Sequence, residues 1–258
     1  MSVLYRTEGG VARVTIDRPD RMNAVDAATT AELERIWTDI EARADIRCVV
    51  LTGSGDRAFS AGADMKSTGG KSGLAYWAGI NPNGFGGIAM RPSLQVPVIA
   101  RVNGLALGGG MEMVLGADIV IAASTARFGL TEARVGRMPL EGGMVALQRR
   151  IPRNIANGLM MTGRMIPAEE AARWGLVNAV VPPEQLDEEV ENWLSDILAC
   201  APLSVRAIKA TVALTEEVGT SAAYAMQTPA LIRALESEDA EEGVRAFVEK
   251  RAPVWKGK

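Results

Sequence analysis

Histidine is absent from all 258 residues, and cysteine occurs twice, at Cys48 and Cys200. Ser-His-Asp and Cys-His nucleophilic arrangements need an imidazole base, so the first absence excludes both. Two thiols without imidazole also fall short of the three or four N/S ligands that zinc takes, so no metal site is expected. Acid–base chemistry therefore falls to carboxylates, lysines, tyrosines or backbone dipoles. Neither sign of charge is in excess: 28 Lys and Arg against 31 Asp and Glu leave a net charge of -3. Nucleic-acid binding wants a concentrated basic face, which this balance argues against. No run of about 20 apolar residues exists to span a bilayer. The opening residues MSVLYRTEGG carry neither an export signal nor an Arg/Ser-rich transit pattern, so a cytoplasmic protein with reduced thiols is expected.

What is present, at 48% hydrophobic and 23% charged, suffices for one large core or two modest ones. Residues 3–7 and 11–17, separated by Glu8-Gly9-Gly10, predict a hairpin with Val14 and Ile16 at strand spacing. Asp26 predicts a cap for a helix whose Leu33, Ile36, Trp37 and Ile40 recur at the helical period. Residues 48–53 and 98–102 predict short buried strands ending in Gly-containing turns. Residues 118–123 predict a third, after a small-residue helix starting near Gly108. Strands alternating with helices imply an α/β fold whose parallel sheet is covered on both faces. After about position 142 the reading is nearly all helix, interrupted at Pro152, Pro167, Pro182-Pro183 and Pro202, with one brief strand at 176–181. Residues 69–87, glycine-rich through Gly84, Gly86 and Gly87, predict a flexible loop.

With 27 glycines, chance matches to phosphate loops must be tested. Gly70-Lys71-Ser72 resembles the end of a P-loop, but the required earlier glycine falls on Met65. Dinucleotide fingerprints starting at Gly84 or Gly108 find Ala89 and Met113 where the last glycine belongs, and no G-x-S-x-G elbow is present. One segment survives: Asn103-Gly104-Leu105-Ala106-Leu107-Gly108-Gly109-Gly110-Met111-Glu112, between a strand and a helix. Glycines at a helix start leave N–H groups unshielded at the positive end of the dipole, where an oxyanion can be held. Glu112, about one turn past Gly109, points to the same side. The competing reading is that the glycines only permit close packing and that Glu112 lies at the surface.

A second strand end, Arg57-Ala58-Phe59-Ser60-Ala61-Gly62-Ala63-Asp64-Met65, enters a turn where Gly62 allows close approach. Its plainer reading is a tight connection with Asp64 as a cap. Two such loops offer two N–H donors to one carbonyl oxygen. Phe128-Gly129-Leu130-Thr131-Glu132 adds a carboxylate, and two glutamates beside an N–H pair suggest proton transfer next to an activated carbonyl.

The strings AFSAGADMK (58–66), VNGLALGGGMEM (102–113), FGLTEARVG (128–136) and SEDAEEGVRAFVEKRAPVWKG (237–257) resemble the enoyl-CoA hydratase/isomerase, or crotonase, superfamily, in order along essentially the whole chain. The resemblance implies a spiral of ββα units over residues 1–195 and a helical region over 196–258 that packs into trimers, commonly paired as hexamers. It implies an acyl-CoA thioester substrate, no separate cofactor, and an oxyanion hole made by the N–H groups of Ala63 and Gly109. It places Ala24, Ala61, Ala63, Asp64, Met65, Lys66 and Gly109 along the coenzyme A moiety. Glu112 and Glu132 occupy both positions of the hydratase carboxylate pair, Glu112 activating water and protonated Glu132 exchanging the C2 proton. The implied activity is enoyl-CoA hydratase, a lyase of fatty acid metabolism.

Departures qualify the substrate. Many hydratases resemble Ile-Pro-Gly-Ala-Gly-Gly after the second glutamate, whereas this chain reads Met138-Pro139-Leu140-Glu141-Gly142-Gly143. Glu141 reads first as a solvated residue at a helix N-terminus, favourable to the dipole, and second as catalytic. Tyr76, Trp77 and Phe85 are expected to line the acyl site. The 140–141 change and the string ILACAPLSVRAIK are similar to carnitinyl-CoA dehydratases, which stand as the alternative together with enoyl-CoA isomerases, for which Glu132 alone suffices. A non-catalytic acyl-CoA-binding oligomer is the alternative from another class.

Overall fold

A computed structural model of the chain describes residues 2–67 and 73–258. It begins with the hairpin β1 (Val3–Glu8) and β2 (Val11–Ile16), helix α1 (Ala27–Ala42), strands β3 (Cys48–Gly53) and β4 (Ala58–Ser60), and short helix α2 (Gly73–Trp77). Next come β5 (Val98–Val102), β6 (Leu105–Leu107) and α3 (Gly109–Leu115), then β7 (Ile119–Ala123) and β8 (Arg127–Gly129). Helices α4 (Gly143–Arg150) and α5 (Arg153–Thr162), strand β9 (Ile166–Pro167), helix α6 (Ala168–Arg173) and strand β10 (Ala179–Val181) follow. The chain continues through α7 (Leu186–Ala199), α8 (Pro202–Val218), α9 (Thr220–Ala225), α10 (Pro229–Leu235) and α11 (Glu238–Glu249).

The larger sheet has the order β1-β2-β3-β5-β7-β10, and β2, β3, β5, β7 and β10 run parallel. The smaller sheet, β4-β6-β8-β9, takes the second strand of each successive pair: β3 then β4, β5 then β6, β7 then β8. The chain thus winds as a spiral of strand pairs. Alternation across the pleat sorts the large sheet's residues between two cores. Val49 and Leu51 of β3, Val98 and Ala100 of β5, and Val120 of β7 pack on the side where α1 buries Leu33, Ile36, Trp37 and Ile40. Cys48, Val50, Ile99 and Ile121 pack on the other, against Leu186, Val190 and Leu194 of α7. Continuous apolar strands are what burial on both faces requires.

Two expectations change. The strand expected over 176–181 shortens to Ala179–Val181: the Asn178 N–H still donates to the Val120 carbonyl at 2.8 Å, but the Val120 N–H is taken at 2.9 Å by the Asn178 side-chain Oδ1 in place of a backbone carbonyl, and Leu176 and Val177 enter the core as loop residues. The expected flexible loop at 69–87 has residues 69–72 outside the described residues, and its last stretch, 81–87, is pinned. Trp37 Nε1 donates to the Gly86 carbonyl at 2.8 Å, and Glu34 accepts Asn81 Nδ2 at 2.5 Å and Arg91 Nη1 at 2.7 Å. Gly86 sits at φ +62 with no room for a Cβ, which would lie 2.4 Å from Met113 Sδ. These glycines admit close packing where the composition suggested looseness.

The prolines act as read. Pro152 and Pro167 precede α5 and α6, and Pro202 opens α8, positions where the missing N–H is not needed. Beyond α11 the chain folds back: Asp239 accepts the Lys256 and Gly257 N–H groups at 2.7 and 2.8 Å, and Trp255 Nε1 donates to the Ala199 carbonyl at 2.7 Å. No single helix among the described residues is long and apolar enough to cross a membrane.

Candidate active site

The site begins where β6 turns into α3. Gly108 caps the helix at φ 55, leaving Gly109 as the first helical residue. Opposite, residues 62–64 run beside Val25: the Val25 N–H donates to the Gly62 carbonyl at 2.8 Å and the Asp64 N–H to the Val25 carbonyl at 2.9 Å. Ala63 sits between these two bonds with its own N–H directed elsewhere. Neither the Ala63 nor the Gly109 N–H has an acceptor among the described residues. The two strips touch. Gly62 adopts φ +86, and a Cβ there would lie 2.8 Å from the Gly109 nitrogen and from the Leu107 carbonyl oxygen. Only glycine brings the two donors this close together.

Both donors border a cavity of about 660 Å³ with mostly apolar walls, including Ala61, Ala63, Met65, Gly108, Gly109, Leu140 and the side chains of Tyr76, Trp77 and Phe85. Glu112, Glu132 and Glu141 line it too. Glu112 is 3% exposed, not a surface residue, and its Oε1 accepts the N–H groups of Glu141 at 3.0 Å and Gly143 at 2.9 Å. Burial pushes its carboxyl up to about 8, with the Glu132 and Glu141 charges adding to the rise and the backbone donors opposing it. Glu132, in a 3-10 turn (Glu132–Val135), lies against Gly108, and its Oε2 is buried with no hydrogen-bond partner. Burial raises its carboxyl as well. Two raised carboxyls face one cavity, where a second negative charge in the same low-dielectric space is costly.

Glu141 departs from its first reading. It is half-buried on the cavity wall, and its Oε1 accepts a hydrogen bond from the Tyr76 hydroxyl. Burial raises the Glu141 carboxyl, and burial together with Glu141 raises the Tyr76 hydroxyl. No local sequence pattern joins two residues separated by 65 positions.

Of the residues expected along coenzyme A, Ala61, Ala63, Met65 and Gly109 line the cavity; Ala24, Asp64 and Lys66 do not. Asp64 is buried, with Oδ1 accepting the Lys66 N–H at 3.2 Å, so it closes a turn and not a helix. Arg18, unremarked in the sequence, ties this region together: it pairs with Asp64 at 3.1 Å and Asp26 at 2.8 Å and donates to the Ala24 carbonyl. Lys66 is exposed. Among the described residues, no group of three acidic, cysteine or histidine side chains is placed to hold a metal ion.

The fold is thus an α/β spiral in which two N–H donors and three carboxylates border one cavity. The chain belongs to the enoyl-CoA hydratase/isomerase family, whose model matches residues 6–258. It is 38% identical to a carnitinyl-CoA dehydratase of Citrobacter koseri, over 100% of this chain and 99% of that protein. A carnitinyl-CoA dehydratase of Escherichia coli K12 is 39% identical over 97% of this chain and 96% of its own length. Among solved structures, an enoyl-CoA hydratase from Bacillus anthracis superposes with a TM-score of 0.91 at 34% identity, covering 100% of both chains. One from Mycobacterium tuberculosis gives a TM-score of 0.90 at 33% identity, covering 100% of this chain and 99% of the other. The mixed α/β architecture is that of crotonase-like proteins, and the protein is a crotonase-type lyase.

Proposed function

We propose that this enzyme catalyses the reversible addition of water across the C2=C3 double bond of a 2-enoyl-CoA thioester. The observation that carries this is the convergence of Glu112 and Glu132 on a cavity bordered by the two unpaired N–H groups of Ala63 and Gly109. The thioester oxygen accepts those two hydrogen bonds, which strengthen as enolate-like charge develops. Glu112 takes a proton from water as the water oxygen bonds to C3, and Glu132 gives its own proton to C2. Proton exchange between the carboxyls then restores the starting state. The two backbone donors to Glu112 Oε1 support its anionic form against the burial that raises its carboxyl, so that the proton can pass to Glu132, whose Oε2 has no partner among the described residues. The coenzyme A moiety runs along residues 61–66, with Ala24 and Lys66 towards its outer end, and no cofactor takes part.

A second reading, the same chemistry run as dehydration of a carnitinyl thioester, is favoured by the carnitinyl-CoA dehydratases at 38–39% identity. Double-bond isomerisation needs one carboxylate, and the second in the cavity speaks for hydration. Turnover of 2-enoyl, 3-enoyl and 3-hydroxyacyl thioesters in isotopically labelled water tests the proposal. Labelled 3-hydroxyacyl product is expected from a 2-enoyl-CoA. Glu112→Gln and Glu132→Gln are each expected to lower its rate by about 10²-fold or more. Unchanged turnover in both variants overturns the two-glutamate mechanism, and tight thioester binding without any turnover points to a binding protein.

A further inference from the structure

In the proposed mechanism Ala63 supplies one of the two donors to the thioester oxygen, and what holds it lies some 40 residues earlier in the chain. Of the N–H groups of residues 61–64, that of Ala61 donates to the Met22 carbonyl at 3.0 Å, that of Gly62 to Ser60 Oγ at 3.1 Å and that of Asp64 to the Val25 carbonyl at 2.9 Å. Ser60 Oγ donates in turn to the Asn23 carbonyl at 2.8 Å. The turn at 22–26 therefore frames the strip and leaves the Ala63 N–H as the one of the four without an acceptor among the described residues. That turn is built under constraint. Met22 and Asn23 both adopt φ +54, a left-handed conformation that costs free energy in a residue carrying a Cβ. Asn23 is buried, with Oδ1 accepting the Arg18 N–H at 3.0 Å and Nδ2 donating to the Ser54 and Ala58 carbonyls at 3.0 and 2.7 Å. Strained backbone persists only where its surroundings over-determine it. Here one guanidinium joins turn to strip: Arg18 Nη1 donates to the Ala24 carbonyl, while Nη2 reaches Asp26 Oδ2 at 2.8 Å and Asp64 Oδ2, one residue past the donor, at 3.1 Å. A planar fork meets these three oxygens at fixed angles, which an ammonium on a flexible stem does not. Asp64 is buried, so its carboxylate, deprived of the cation, turns towards water and draws the backbone at residue 64 with it. A donor displaced by a fraction of an ångström loses much of an interaction whose value lies in preorganisation.

We propose that Arg18 is a positioning residue for catalysis: through its ion pair with Asp64 it fixes the Ala63 N–H where the thioester oxygen gains charge. The proposal rests on the reading of Ala63 and Gly109 as the two donors to that oxygen. Its test reads the polarisation of the bound carbonyl directly. 4-Dimethylaminocinnamoyl-CoA, a 2-enoyl thioester with an electron-donating ring, absorbs at longer wavelength as its carbonyl accepts stronger hydrogen bonds, and is measured with enzyme at saturation. The wild-type enzyme is expected to shift it to the red. Arg18→Met is expected to lose most of that shift and to lower kcat for crotonyl-CoA by about tenfold or more, with KM changed by less than about threefold. Arg18→Lys retains part of both. Asp64→Asn resembles Arg18→Met, and the double variant is no worse than the worse single one, because both remove the same ion pair. An arginine of merely structural importance lowers the unfolding midpoint and leaves the shift per bound thioester intact, which overturns the proposal; additive losses in the double variant do the same. Should Arg18→Met fail to fold, Arg18→Lys and Asp64→Asn carry the same comparison. A wild-type red shift undiminished in these variants sinks this inference alone; a bound thioester with no red shift in the wild type sinks the two-donor reading beneath it.

Discussion

In the mechanism we propose, Glu112 and Glu132 set the pH behaviour. With Glu112 pushed up to about 8 and Glu132 also raised, the productive form is the pair carrying one proton. Above about 8 that proton is lost and none remains for C2, so kcat/KM is expected to fall. At lower pH both carboxyls are protonated, no base remains, and kcat/KM falls again. A bell with its alkaline limb near 8 is the expected profile; a flat profile from pH 5 to 10 would contradict it. No imidazole exists to produce either limb. Glu112 and Glu132 were legible in the sequence because each follows a glycine-containing strand end within a few residues. The Tyr76–Glu141 pair was not, since its two halves meet only through the fold. Arg18 escaped notice for the same reason: an arginine beside a proline looks like any surface residue until Asp26 and Asp64 close around it.

At the scale of elements, the approach of residues 62–64 to the start of α3 is the weak point. Gly62→Ala forces a Cβ into the space between Leu107 and Gly109 and strains a φ of +86, so the two N–H donors must separate. A loss of about 10²-fold in kcat with a smaller change in KM is expected, measured by steady-state hydration. Asp26, whose Oδ1 accepts the Thr29 N–H at 2.8 Å, caps α1. Asp26→Ala is expected to cost about 1 kcal/mol in denaturant unfolding, and more where the Arg18 pair is lost with it. The hairpin, α1 and the first strands of the large sheet were readable because each is long enough to show its period. Strands β4, β6, β8 and β9 are two or three residues long, shorter than any alternation can reveal, and sheet pairing fixes them where local preference does not.

For the whole molecule, the helical region after β10 leaves apolar side chains uncovered. Leu235, Val244, Phe247 and Val248 are 71%, 68%, 85% and 73% exposed. Apolar exposure concentrated on α10 and α11 is the mark of a surface that another chain covers, and we propose the trimer implied by the family resemblance. Sedimentation velocity is expected to give a trimer or a pair of trimers, and Phe247→Glu to shift it towards monomer; a monomeric wild type would refute the assembly. Trp77, on the cavity wall and 54% exposed, has an optical consequence. Of five tryptophans it alone lines the cavity, so an arriving acyl chain displaces water from one indole and leaves the others as an internal reference. Occupancy of the pocket is thereby visible as emission, separately from any bond made or broken within it.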